Sequence, residues 1–301
     1  VVWGKSRSNV QDHFLADSTN GTGKDLIPNG NYAQQTENGV TAFGTDGWTM
    51  GSVYNTNAYT YVGWTWRANG GTTSSGSGDL TSTHQVDPSG GFSIVKAVGD
   101  GGSGDKTISH GLSAAPTCIL AKNIDAAYNW DTYWAQGLSS GYSIRLNTTD
   151  NQLSGRWGTI NSSIFTVKEN YTWAGTNNFI YYCFTNTEGY IKSGTYIGNG
   201  NDDGTFVYTG FRPAMMIIRE VAVDDWLIYD DKRMGFNNSA TGNSNLYPDT
   251  NVAEGLEASR AIDILSNGFK LRTSNATGNA SGGTYIYLAM AKNPFKYATA
   301  R

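Results

Sequence analysis

The sequence predicts an all-β chain built from tandem antiparallel β-sandwich repeats, and three observations predict it. Charged residues make up 15% of the 301 residues, while 38 glycines and 13% aromatics are set among Asn, Ser and Thr; that balance belongs to short strands and tight turns, not to helices. Short runs alternate apolar and polar residues between turns at Asn-Gly, Asp-Gly and Gly-Gly, the mark of antiparallel strands with one buried face. The same succession of strands then recurs three times along the chain.

Each copy has an apolar strand closed by a cation, over 1–5, 118–122 and 215–219, ending at Lys5, Lys122 and Arg219. A second strand follows, aligning His13 to Asp17 with Trp130 to Trp134 and Trp226 to Asp230. Paired strands end each copy: 41–50 with 59–66, 160–167 with 179–184, and 262–271 with 284–290. In the second and third copies a turn containing Pro116 or Pro213 precedes the first strand, and a Gly-rich hairpin over 98–105 or 198–204 precedes that turn. The first copy begins one hairpin late, so its missing strand is expected either upstream of Val1 or from a neighbouring subunit. The repeats therefore span 1–68, 91–193 and 194–301. A Gly-, Ser- and Thr-rich stretch over 69–90 is expected to be a linker without a core of its own, on which the first copy swings. The second and third copies are joined directly through 187–194 and are expected to dock rigidly. The only helix expected is a short one over 253–261.

Positions that stay apolar or aromatic in the copies are expected in the core, because copies with different surfaces still need the same packing: Phe14, Trp48, Trp64, Trp130, Phe165, Trp226 and Phe269. Cys118 aligns with Val1 and Met215, and Cys183 with Thr65 and Ala289. Two cysteines in such registers are expected to be buried reduced thiols. Residues that depart from the repeat are candidates for a specialised surface. Trp134 stands where the sister copies carry Asp17 and Asp230, and Arg156 and Trp157 lie between Gly155 and Gly158. An exposed aromatic plane beside an Arg can stack on a sugar ring while its donors bind hydroxyls, so Trp134, Arg156 and Trp157 form a candidate glycan contact. The alternative is that these aromatics cover the edge of the sandwich.

Several function classes find little support. The net charge of -4 gives no basic stripe for nucleic acid, and no run approaches the roughly 18 apolar residues that span a bilayer. The opening Val-Val-Trp-Gly-Lys has neither an initiator Met nor a signal-peptide pattern, which suggests a processed chain or a fragment. The run from Gly99 to Gly104 has dinucleotide-loop spacing but joins two strands, with no helix to receive a pyrophosphate. The run from Gly137 to Gly141 has nucleophile-elbow spacing without a strand-turn-helix unit. The run from Asn199 to Gly204 resembles the start of a calcium loop, yet the acidic twelfth position falls on Gly210. The pairs Asp224-Asp225 and Asp230-Asp231 are adjacent, so on a strand they point to opposite faces, a poor arrangement for paired acid/base work. No cofactor, metal or catalytic residue is expected.

The repeat does resemble a known group. The runs Gly204-Thr-Phe-Val-Tyr-Thr-Gly-Phe-Arg-Pro213, Asp225-Trp-Leu-Ile-Tyr-Asp-Asp-Lys-Arg233, Ile262-Asp-Ile-Leu-Ser-Asn-Gly-Phe-Lys-Leu-Arg272 and Ala280-Ser-Gly-Gly-Thr-Tyr-Ile-Tyr-Leu-Ala-Met-Ala-Lys-Asn-Pro-Phe295 are similar to tandem-repeat structural proteins of tailed, mainly marine, bacteriophages. The first copy, from Val2-Trp-Gly-Lys-Ser-Arg-Ser8 to Tyr61-Val-Gly-Trp-Thr-Trp-Arg67, fits the same pattern. The resemblance implies lectin-like, jelly-roll-like sandwich repeats in a tail-fibre or virion-surface protein outside the cell. The implied partners are other virion proteins, further copies in a closed oligomer such as a trimer, and a host surface glycan or protein. A glycan-degrading fibre enzyme, or a purely architectural capsid or tail subunit, are the alternatives.

Overall fold

A computed structural model describes residues 1–68, 71–87, 89–169, 175–233, 237 and 243–294. The first repeat contains β1 (Val2–Ser6), β2 (Phe14–Ala16), β3 (Lys24–Asp25), β4 (Gln35–Thr36), β5 (Val40–Phe43), β6 (Trp48–Met50) and β7 (Tyr61–Thr65). Two strands, β8 (Thr72–Ser75) and β9 (Ser82–Val86), lead into the second repeat. That repeat contains β10 (Phe92–Val98), β11 (Lys106–Ser109), β12 (Cys118–Asn123), β13 (Asp131–Trp134), β14 (Ile144–Arg145), β15 (Trp157–Ile160), β16 (Ile164–Val167) and β17 (Asn178–Phe184). The third contains β18 (Ile191–Ile197), β19 (Phe206–Tyr208), β20 (Pro213–Glu220), β21 (Trp226–Asp230), β22 (Asn243–Asn245), β23 (Gly255–Glu257), β24 (Ile262–Leu265), β25 (Gly268–Leu271) and β26 (Thr284–Ala291).

All strand pairing between these elements is antiparallel, and the all-β sandwich class holds. Each repeat has one main sheet and one smaller outer sheet. The main sheets run β2-β1-β7, β14-β13-β12-β17-β10-β9-β8 and β18-β26-β20-β21. The outer sheets are β5-β6, β11-β16-β15 and β19-β25-β24. Alternate residues of each main sheet face the outer sheet and form a core private to that repeat: Val2 and Phe14 with Val40 in the first, Tyr181 with Phe165 in the second, Tyr285 with Phe269 in the third.

The other face of every main sheet is equally apolar, and one cluster holds all three. In its middle layer Trp3, Leu120 and Ile217 pair across strands with Trp64, Tyr182 and Leu288. A strand buried on both faces is a near-continuous apolar run, which is why β12, β20 and β26 show so little polar alternation. Each large aromatic in this cluster removes about 200 Å² from water, a gross contribution of roughly 5 kcal/mol.

Polar groups lock the three faces in cyclic order. His13, Trp130 and Trp226 occupy equivalent positions, and each reaches a main-chain carbonyl of a neighbouring repeat. Trp130 Nε1 donates to Ile27 O at 2.9 Å, Trp226 Nε1 to Arg145 O at 2.8 Å, and His13 Nε2 meets Tyr247 O at 3.0 Å. Trp3 Nε1 donates to His13 Nδ1 at 3.0 Å; Nδ1 is thus the acceptor, and the proton sits on Nε2. The cations Lys5, Lys122 and Arg219 are also equivalent and buried. They reach loop carbonyls, with Arg219 donating to Asp224 O and Asp150 O and lying over the Trp226 ring. Burial lowers Lys5 and Lys122 to about 8 and Arg219 to about 10.

Further along the strands, Tyr182 donates to Asp17 Oδ2 at 2.7 Å between the second and first repeats, and Trp64 Nε1 to Asp230 Oδ2 at 3.1 Å between the first and third. Asp230 also holds Arg233, whose guanidinium lies over the Trp64 ring and reaches Glu254, and Glu254 takes a bidentate contact from Arg7. Removing one partner from a buried pair of this kind costs about 3–5 kcal/mol.

Two expectations are corrected. Residues 72–75 and 82–86 are not linker but paired strands: β9 pairs with β10, and β8 with β9. Leu80 joins the private core of the second repeat, and Ser18 Oγ donates to Gln85 Oε1 across to the first. The backbone of this stretch is satisfied by extending an existing sheet, so a Thr- and Ser-rich segment needs no core of its own. The first repeat therefore does not swing, since its inner face is inside the shared cluster. The helix expected over 253–261 is β23 followed by one 3-10 turn, Ala258–Arg260. The cysteines are buried free thiols, pushed up by burial. Of the seven expected core aromatics, Phe14, Trp64, Trp130, Phe165, Trp226 and Phe269 are buried, and Trp48 is only half-buried.

His13 gives this arrangement a pH signature. Burial, followed by the charge of Lys5, lowers its pKa from 6.5 to about 3, so the unfolded chain binds the extra proton between those values. Stability from this group is complete above pH 6.5 and falls by about 1.4 kcal/mol per unit as the pH drops toward 3. In urea unfolding at pH 7 to 4, the wild type should lose ground steadily to His13→Gln. A difference that stays constant with pH would contradict a neutral buried His13.

Candidate functional site

The three residues expected to contact a glycan are all buried. Trp134 lies in the shared core, its ring 6.0 Å from that of Trp226 and its Nε1 donating to Thr132 Oγ1 at 2.9 Å. Trp157 lies in the private core of the second repeat against Phe165, with its Nε1 donating to Thr132 O at 3.2 Å. Arg156 is 8% exposed, and its Nε lies 3.7 Å from Asp131 Oδ1. Burial pushes the Asp131 carboxyl up while Arg156 draws it down. The structure thus brings Trp134 and Trp157 onto one residue, Thr132, but into two different cores, and no ring plane of either is open to a sugar. Trp134 departs from the repeat because its interface does. Where the other two interfaces join Asp17 to Tyr182 and Asp230 to Trp64, the equivalents at the third are Trp134 and Leu288, both in the shared core.

The motif-like runs behave as turns. Gly99 to Gly104 connects β10 to β11, with Gly101 and Gly104 at positive φ. Ser139 and Ser140 stand in an exposed loop. Asn199 and Asn201 cap their own loop, and the Asp203 carboxylate is taken by Lys270 and Arg272. Among the described residues no three His, Cys, Asp or Glu side chains converge on a metal position.

Two surface features of the described residues bear on binding here, and both involve the first repeat. At its seam with the second, Lys122 Nζ donates to Tyr128 O at 2.5 Å and reaches Asn31 O at 3.5 Å. Tyr128 and Tyr32, the latter next to Asn31, are 44% and 52% exposed. One buried cation thereby fixes two exposed tyrosines on loops of different repeats. Tyr32 also borders a hollow of about 320 Å³ with Gln11, Asp12, Gln35, Glu37 and Tyr54. Aromatic faces beside carboxylates and amides suit hydroxyl-rich ligands.

The second feature is a groove of about 570 Å³ between the β5–β6 turn, the start of β1 and the end of β7, walled by Phe43, Asp46, Trp48, Thr65, Trp66 and Arg67. Among the described residues this repeat has no counterpart of the hairpin that precedes the first strand in the other two. In those repeats β10 covers the outer edge of β17 and β18 that of β26, while β11 and β19 extend the outer sheets. Among the described residues nothing pairs with the outer edge of β7 or β6. Consequently Gly63 and Thr65 are exposed where Tyr181, Cys183, Tyr287 and Ala289 are buried. Trp48 is half-buried where Phe165 and Phe269 are closed over. The late start of the first repeat was the sequence signal for this groove; the residues lining it carried none, because in a repeat alignment they look like core.

A family model described as a domain of unknown function, DUF7483, matches residues 1–294. No curated protein and no solved structure matches the chain.

The exposure of Trp48 predicts unequal costs at three equivalent positions. Phe165→Ala and Phe269→Ala should each lose about 3–5 kcal/mol, and Trp48→Ala about 1 kcal/mol or less, in urea unfolding. Equal losses would show that Trp48 is packed as its counterparts are.

Proposed function

The chain belongs to the DUF7483 family, and we propose that it is a structural protein of a bacteriophage virion, a surface-exposed fibre or tail component that contributes to host adhesion through its loops. The observation that carries this reading is the fusion of three sandwich repeats on one shared core, which makes a rigid block and leaves the first repeat with an open edge and exposed seam loops. A rigid scaffold that presents loops is suited to attachment, not to a reaction cycle that needs closure. The likeness of the repeat to phage structural proteins supports the virion assignment.

In this reading the partners are neighbouring virion proteins, further copies in a closed oligomer of which a trimer is favoured, and a host surface glycan or protein. The seam tyrosines, Tyr32 and Tyr128, replace Trp134, Arg156 and Trp157 as the glycan contact, because they are exposed where those three are buried, and Tyr32 borders a hollow. Repetition in an oligomer raises the avidity of individually weak loop contacts.

An antibody against the purified chain tests the assignment. It should decorate the outside of intact particles in electron micrographs and slow their adsorption to host cells. Particles left bare, with the chain detected only after disruption, would exclude the exposed adhesive role.

A further inference from the structure

We propose that the groove of the first repeat is a docking site for a β-hairpin of a partner polypeptide, which completes both sheets of that repeat. The molecule contains the template for its occupant twice. The β10–β11 and β18–β19 hairpins each add one strand to the main sheet and one to the outer sheet of their own repeat. In doing so Ile108 is set opposite Phe165 and Val207 opposite Phe269, the positions equivalent to Trp48. The occupant is thus an antiparallel hairpin with a β-branched apolar residue opposite Trp48.

The backbone specifies the contact. Val1 and Trp66 exchange both main-chain hydrogen bonds, so by the alternation of an antiparallel ladder Trp64 and Val62 also point their N–H and C=O groups at β1. Tyr61, Gly63 and Thr65 therefore point theirs outward along the free edge. An added strand bonds these three residues, as β10 bonds the matching positions of β17, where Thr185 N donates to Gly91 O just beyond the paired strands. The affinity comes from main-chain bonds and the selectivity from the apolar side chains that enter the groove. The inference rests on the groove and not on the particle assignment, so either can fail alone.

A peptide with the sequence of residues 191–208, the β18–β19 hairpin, is the probe, added to the full chain and read by amide hydrogen exchange. At roughly ten times its Kd it should slow exchange at Gly63 and Thr65 about tenfold and leave Val62 and Trp64 unchanged. Thr65→Pro, which removes an outward N–H and leaves the bonds to β1 intact, should abolish the effect. The same hairpin joined to Val1 through a flexible linker provides a second measurement at high effective concentration. Failure of Gly63 and Thr65 to gain protection even in the fused chain would overturn the proposal. So would their protection in the free chain together with dimers in sedimentation, which would assign the edge to a second copy.

Discussion

Every main sheet in this protein is apolar on both faces, and a single repeat has the means to cover only one of them. The outer sheet covers the first; the second can be removed from water only by the inner faces of the other two repeats. The shared cluster built on Trp3, Leu120 and Ile217 is therefore a condition of folding for all three units. The polar groups at its rim follow from it. Indole and imidazole N–H groups buried with those rings must find acceptors, and the carbonyls of Ile27, Arg145 and Tyr247 in the neighbouring repeats supply them.

Cyclic packing also accounts for where the repeats differ. At two interfaces a carboxylate faces a donor, Asp17 with Tyr182 and Asp230 with Trp64. At the third both members are apolar, Trp134 and Leu288. An Asp at 134 with Leu at 288 would leave a buried carboxylate without that donor, and a Tyr at 288 with Trp at 134 would leave a hydroxyl without its acceptor, so the two positions depart together. The free edge of the first repeat, to which the described residues bring no such hairpin, is a departure of another kind. Each layer of that repeat is one strand short of its counterparts among the described residues, which leaves a groove, while the inner face keeps its place in the shared core.

Much of the fold was legible in the sequence because strand alternation and the triple repeat are local signals. Phe14, Trp64, Trp130, Phe165, Trp226 and Phe269 sit in cores as their registers predicted. Two features were not legible. A Thr- and Ser-rich stretch carries no apolar face to announce it, yet 82–86 become a strand because the edge of β10 offers them main-chain partners, and 72–75 because β9 then does the same. Trp134 departs from its sisters, and on a free-standing repeat such a departure belongs to a specialised surface. Here the position lies between repeats, and no pattern within one repeat shows that its second face is covered by another. The groove was half visible: the missing hairpin could be counted along the chain, but the exposure of Trp48, Gly63 and Thr65 needed the three repeats in place.

The central claim is that three repeats share one core and none keeps its inner face without the others. Native-state hydrogen exchange tests it most directly. Amides in the central strands β1, β12 and β20 should open with one common free energy equal to that of global unfolding, and with one common dependence on denaturant. If the amides of β1 exchanged through an opening several kcal/mol cheaper than those of β12 and β20, the first repeat would be a separate unit and the shared core would not be the condition on which the fold depends.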